Sequence, residues 1–266
     1  QTDHDLENFA GCLKREGMGI EKSPGHFSAH GHNFRGGAYS IGIETEGFAA
    51  FARKATSHSM VQKVRQSIEG RDLILGVDRL DYSKGITQRI DAFERFITNN
   101  PAHQRSVTYL QITPKSRSEV PEYEAMQHAV AEQAGRVNGT IGTVDWVPIR
   151  YINRPILAGL YRLAKGGLVT PLRDGMNLVA KEYVACQDPE DPGVLVLSRF
   201  AGAARKLKGA LLVNPYDVDG TANALARAVN MPLQERQERW RGMMDYLLEN
   251  DVSRWCETFL NDLTSE

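Results

Sequence analysis

The sequence predicts an α/β chain, a Rossmann-like doubly wound parallel sheet with helices on both faces. Three observations predict it. From residue 73 onward, six short apolar runs alternate with longer segments of helical period. The runs are apolar nearly throughout, as in strands covered on both faces, where alternation between apolar and polar residues is lost. The chain of 266 residues, 41% apolar and 24% charged, is also large enough to bury such a sheet.

Taken in order, Leu6, Phe9 and Leu13 give the first residues a helical stripe, and Asp3, Asp5 and Glu7 are unlike a signal peptide. With no initiator methionine, the chain is expected to be a fragment. "SPGHFSAHGHNFRGG" is turn-rich, "AYSIGIE" reads as a strand leading to a linker, and a domain boundary is expected near residue 45. The repeat occupies residues 46–250. Its expected strands are 73–78, 107–113, 144–149, 167–170, 194–198 and 210–213. Between them, Ile86, Ile90, Phe93 and Ile97 form one apolar stripe, and Tyr123, Met126, Val130, Ala134 and Val137 form another. Residues 233–249 read as a helix after Pro232, and 251–266 as a carboxyl-terminal helix started by Asp251.

A formal charge of −1 supplies no general field for nucleic acid or an anionic membrane, so any polyanion site must be local. Three scattered cysteines, without Cys-x-x-Cys, argue for reduced thiols in a cytoplasmic protein and against thiol or cysteine–metal chemistry. No run approaches the roughly 20 apolar residues of a membrane span. His26, His30 and His32 lack a companion cysteine or carboxylate pattern for a metal. Neither a Gly-x-Ser-x-Gly nucleophile turn nor an aspartyl-phosphatase Asp-x-Asp occurs, and "RGGAY" precedes a strand rather than the helix of a phosphate loop.

Parallel sheets bind ligands at the carboxyl ends of their strands. There the first strand runs into "VDRLDYSKG", with Arg79 and Lys84 five residues apart before a helix at Ile86. Two cations beside a helix N-terminus suit a pyrophosphate; the competing reading is a surface arginine paired with Asp78 or Asp81. The second strand ends in "PKSRSEV", placing Lys115 and Arg117 at the same edge, unless they are solvated loop charges. In "GLVTPLRDGMNLVAKEYVACQ" a strand stops at Pro171, a turn follows, and Asn177 can cap a helix. Amides of Leu178 and Val179 then face phosphate, and Glu182, one turn on, reaches a ribose diol. The plainer alternative makes Asp174 a turn residue and Glu182 a solvated helix charge.

"DRLDYSKG", "ITPKSRSEV", "GLVTPLRDGMNLVAKEYVACQ" and "GVLVLSRFAGAA" together resemble the carboxyl-terminal half of the trehalose-6-phosphate synthase family, retaining glycosyltransferases of the two-domain GT-B fold. The resemblance covers residues 1 to about 264. It implies transfer of glucose from UDP-glucose to glucose 6-phosphate, giving α,α-trehalose 6-phosphate and UDP with neither metal nor other cofactor. By this resemblance Arg79 and Lys84 neutralise the donor diphosphate and are the catalytic pair. Asp174, Gly175, Met176 and Asn177 hold the glucosyl hydroxyls, Leu178 and Val179 offer phosphate amides, and Glu182 binds ribose. Ile112 walls the uracil pocket, and Arg117 lies near the acceptor phosphate. Residues 1–45 correspond to the tail of an amino-terminal acceptor domain and linker, and 46–250 to the donor domain.

Implied partners are the two sugar substrates and further copies of the chain as a homo-oligomer, with no nucleic acid and no membrane. Two departures stand out. Most of the acceptor domain is absent, and the stretch from Asn153 to Ile156 is about four residues short of the family pattern, where a histidine and an aromatic normally flank the nucleotide. The alternatives are a non-catalytic UDP-sugar-binding or regulatory subunit, and a related transferase with another phosphorylated acceptor.

Overall fold

A computed structural model of the chain describes residues 1–68, 70–114, 121–152 and 158–264. Helix α1 (Asp3–Arg15) is followed by strands β1 (Gly19–Ser23), β2 (His26–Ala29) and β3 (His32–Arg35), then helices α2 (Thr45–Ala55) and α3 (Ser59–Ile68). The repeat then runs β4 (Asp72–Val77), α4 (Ile86–Asn99), β5 (Val107–Ile112), α5 (Pro121–Ile141), β6 (Ile149–Ile152), α6 (Ala158–Leu163) and β7 (Gly166–Val169). It continues through α7 (Leu178–Cys186), β8 (Val194–Ser198), β9 (Leu211–Val213), α8 (Val218–Asn230), α9 (Leu233–Glu249) and α10 (Val252–Thr264).

The six later strands form one parallel sheet in the order β6-β5-β4-β7-β8-β9. Counted within the sheet this is 3-2-1-4-5-6, the Rossmann order, and the expected doubly wound fold is present. Strand residues divide by parity between two cores. Leu73, Leu75 and Val77 enter one and Ile74 the other; Leu110 and Ile112 part from Val107 and Tyr109, and Leu195 and Leu197 from Val194 and Val196. Both faces being covered, each strand is apolar at successive positions, which is why the runs were so legible. The order reverses between β4 and β7. Connections from those two strands depart in opposite directions and leave a crevice at their carboxyl ends.

Three expectations are corrected. The strand expected at 144–149 begins only at Ile149: Thr143 and Trp146 bridge each other in a tight turn, Val144 and Val147 are exposed, and Pro148 offers no ladder donor. Trp146 is buried by donating its indole N–H to the carbonyl of Val107 at 2.9 Å. The turn-rich stretch 23–37 is ordered as most of a three-stranded antiparallel sheet, β1-β2-β3, with tight turns at Pro24–Gly25 and His30–Gly31. Residues 38–44, expected as a strand, form none. Their backbone finds partners elsewhere, Ile41 O with Lys181 Nζ at 2.5 Å and Ile43 O with Val252 N–H at 3.0 Å. The segment from Asn153 to Ile156, and Lys115 and Arg117, lie outside the described residues.

Candidate functional site

The two loops that meet at the reversal are the ones rich in candidate residues. After β4, Asp78 is buried and Arg79, next in the chain, is exposed with no hydrogen bond or ion pair among the described residues. Asp81 then accepts from the amide and hydroxyl of Ser83 at 2.8 and 2.6 Å, closing a single helical turn over Tyr82–Lys84. Burial pushes the Asp81 carboxyl upward, but the bonds from Ser83, with the charges of Lys84 and Arg79, outweigh it and leave the group below its ordinary value. Arg79 makes no ion pair with Asp78 or Asp81, although its charge acts on the Asp81 carboxyl.

Gly85 ends this turn at φ 64°, in the left-handed region, where a Cβ would also meet the carbonyl oxygen of Thr170 at 2.7 Å. The close approach seats the first loop directly on the second. Across the seam, Leu172 N–H donates to Ser83 O at 2.7 Å, and Lys84 Nζ donates to Asp174 Oδ2 at 2.5 Å with both side chains mostly buried. The same carboxylate oxygen accepts from Asn177 Nδ2 at 3.0 Å.

Asn177 is itself at φ 70°, a conformation that asparagine tolerates, and its Oδ1 caps α7 by accepting from Ala180 N–H at 3.1 Å. The amides of Leu178 and Val179, first in the helix, have no acceptor among the described residues. They remain available to an anion at the positive end of α7. The turn is braced from behind by the loop after β8: Asp174 N–H donates to Phe200 O, Gly202 N–H to Asp174 O, and Ala203 N–H to Met176 O, at 3.1, 3.1 and 2.8 Å. Met176 is buried, whereas Gly175 is exposed.

Glu182 lies on the next turn of α7, half-buried, and accepts from Tyr161 Oη at 3.1 Å. Burial pushes its carboxyl up and the tyrosine bond only partly offsets this. It is a held group rather than a freely solvated one. Ile112 closes the end of β5 but is wholly buried, with its carbonyl accepting from Asp78 N–H and Gln111 Nε2. Its side chain belongs to the core among the described residues.

Beneath the two loops lies a polar cluster that the sequence reading did not single out. Arg89 on α4 is completely buried; it pairs with Asp78 at 2.5 Å, donates to Thr170 Oγ1 at 3.0 Å and to Lys84 O at 2.9 Å, and approaches Gln111 Oε1 at 3.5 Å. Tyr109 Oη bonds that same Gln111 oxygen. Burial pushes the Asp78 carboxyl up, with Arg89 opposing. A usable signal was present: Arg89 stands inside the apolar stripe of α4, and Gln111 interrupts the run VTYLQI. Asp174 and Gly175 of the turn also line a cavity of about 490 Å³, together with Arg173, Arg199, Arg205, Phe200 and Tyr216.

Fold and site together define a doubly wound α/β protein whose switch point joins a lysine-bearing loop to a turn that leads into open helix amides. The description "glycosyltransferase family 20" matches residues 1–265, and the chain belongs to that family. It is 74% identical over 269 residues to a trehalose-6-phosphate synthase of Sinorhizobium fredii, covering 100% of this chain and 58% of the relative. A trehalose-6-phosphate synthase of an Enterobacter species is 46% identical, with 99% and 56% covered.

Among solved structures, an α,α-trehalose-phosphate synthase (UDP-forming) from Burkholderia xenovorans in complex with glucose-6-phosphate superposes at TM-score 0.97 and 46% identity, covering 100% of this chain and 60% of that one. A structure described as trehalose-6-phosphate from E. coli bound with UDP-2-fluoro glucose gives 0.94 and 42%, with 100% and 60% covered. The chain thus spans a little under three fifths of the curated relatives it matches.

Proposed function

We propose that this chain is the donor-binding part of a retaining glycosyltransferase that moves glucose from UDP-glucose to glucose 6-phosphate, forming α,α-trehalose 6-phosphate and UDP. The observation that carries the reading is the bond from Lys84 to Asp174 at 2.5 Å, which ties the cation loop after β4 to the turn that leads into the open amides of α7. An ammonium has three donors, so Lys84 can keep Asp174 and still donate to a phosphate. Arg79 supplies a second cation, exposed and without a side-chain hydrogen bond among the described residues.

In this reading the diphosphate of the donor lies between Arg79, Lys84 and the amides of Leu178 and Val179. Negative charge grows on the departing UDP as the glycosidic bond breaks, and preorganised cations and amides stabilise it most in the transition state. The turn 174–177 offers its backbone to the glucosyl hydroxyls, Glu182 accepts from the ribose diol, and the nucleobase lies toward Ile112. Arg117 is assigned to the acceptor phosphate. Residues 1–45 are assigned to the tail of an acceptor domain and its linker, 46–250 to the donor domain and 251–266 to the closing helix. A homo-oligomer in the cytoplasm belongs to the same proposal; among the described residues no helix is long and apolar enough to cross a membrane.

The family resemblance and the relatives' printed substrates support this reading. The test is to incubate the longest natural form of the protein with UDP-glucose and glucose 6-phosphate and identify the products. Stoichiometric UDP and trehalose 6-phosphate, at a rate unchanged by EDTA, are expected. Binding of UDP-glucose without any transfer would instead favour the non-catalytic subunit.

A further inference from the structure

The cation loop has two ends, and a single buried side chain holds both. Asp78, the residue before Arg79, pairs with the Arg89 guanidinium at 2.5 Å, and the carbonyl of Lys84, where the loop closes, accepts from the same group at 2.9 Å. Nε of Arg89 donates to Thr170 at the end of β7, so the loop is also referenced to the strand across the crevice. Gln111 of β5 lies at 3.5 Å on the remaining arm and is fixed by Tyr109. Arg89 thus joins the ends of three adjacent central strands to the backbone between the two cations.

Filling the core does not account for this choice. A buried ion pair is often replaced by apolar residues at no loss of stability, because desolvating the charges offsets their attraction. A planar fork with five donors is, however, the side chain that can serve a carboxylate, a hydroxyl and a carbonyl at once in fixed directions. The Lys84 carbonyl needs that fixity, since its displacement moves the residue that meets Asp174. We propose that Arg89 is a positioning residue for the Arg79–Lys84 loop, setting the spacing of the two cations against a diphosphate without touching it. The inference rests on the donor-site reading above.

The test is calorimetric titration of the 266-residue chain with UDP and with uridine, accompanied by thermal melting. The parent should prefer UDP. Arg89→Met should weaken UDP about tenfold while uridine changes by less than about twofold, because misplacement affects only the diphosphate contacts. In a Lys84→Ala background the same substitution should add less than about twofold, the loss being shared. Parallel losses for UDP and uridine, or losses that multiply in the double variant, would show a structural role only and overturn the proposal.

Should Arg89→Met fail to fold, Arg89→Lys decides. Its ammonium keeps a charge opposite Asp78 but cannot also reach Lys84 O and Thr170, so a folded chain with selectively weakened UDP is expected. Parent-like UDP affinity in that variant would refute the clamp. A parent that binds uridine as tightly as UDP would overturn the donor-site reading itself, and this inference with it.

Discussion

Arg79 and Lys84 differ in a way that sets their separate tests. Arg79 is exposed and unpaired among the described residues, whereas Lys84 already holds Asp174. Arg79→Ala therefore removes a donor without freeing a buried charge, and it should weaken UDP-glucose by about 1.5–3 kcal/mol, the range for a charged hydrogen bond. Equal affinity of variant and parent in calorimetry would remove Arg79 from the site. Glu182 is held by Tyr161 at 3.1 Å. Glu182→Gln should erase much of the preference for UDP over its 2′-deoxy analogue, and an unchanged preference would contradict the ribose role.

Lys181 offers a test of the folded structure itself. It is buried, its ammonium bonds the carbonyl of Ile41 and no other group among the described residues, and burial pushes its pKa down to about 8. An unfolded lysine titrates near 10.4. Below about pH 8 the folded chain bears a buried charge at full cost. Above it the folded state loses a proton that the unfolded chain still holds, so this cost fades as pH rises toward about 10.4. Lys181→Met should melt higher than the parent at pH 7, with the gap closing by pH 10; a gap independent of pH would contradict the burial.

Among the elements, the turn between β4 and α4 is the most constrained. Gly85→Ala forces a left-handed alanine, costing about 1–2 kcal/mol before the contact with Thr170 O at 2.7 Å is counted. Chemical denaturation should show at least that loss, and UDP affinity should fall with it because the seam to Leu172 and Asp174 opens. A variant as stable as the parent would mean that the two loops do not meet as described.

Legibility followed the same physics. Strands buried on both faces announce themselves by unbroken apolar runs, so β4, β5, β7, β8 and β9 were found within a residue or so. The run VDWVPI imitated one because a turn can bury a single Trp146 between exposed valines. Strands β1 to β3 were missed because they are short, polar at most positions and little buried, so no apolar run marks them. Residues 38–44 looked like a strand, yet their carbonyls are taken by Lys181 and Val252 from distant elements. Arg79, Lys84 and Asn177 were singled out because strand ends and a helix cap mark their positions, and Asn177 does cap α7. Arg89 was not, because helical period alone cannot reveal which buried charge has a partner.

For the molecule as a whole, topology does most to localise function. The strand order reverses between β4 and β7, and the loops leaving those two strands are the pair joined by Lys84 and Asp174. Asp174 and Gly175 of the same turn also line a cavity that gathers Arg173, Arg199 and Arg205. Charge alone would send a diphosphate to either. The open amides of Leu178 and Val179 favour the switch point; the N-terminus of α1 also borders the other cavity, but there Thr2 caps the Asp5 amide and the Asp5 carboxylate stands in the lining.

The most direct measurement is a crystal structure of the chain with UDP-glucose bound. The expected result is a diphosphate within hydrogen-bond distance of Lys84 Nζ, the Arg79 guanidinium and the first amides of α7. Density for the diphosphate among Arg173, Arg199 and Arg205, with the switch-point crevice empty, would contradict it.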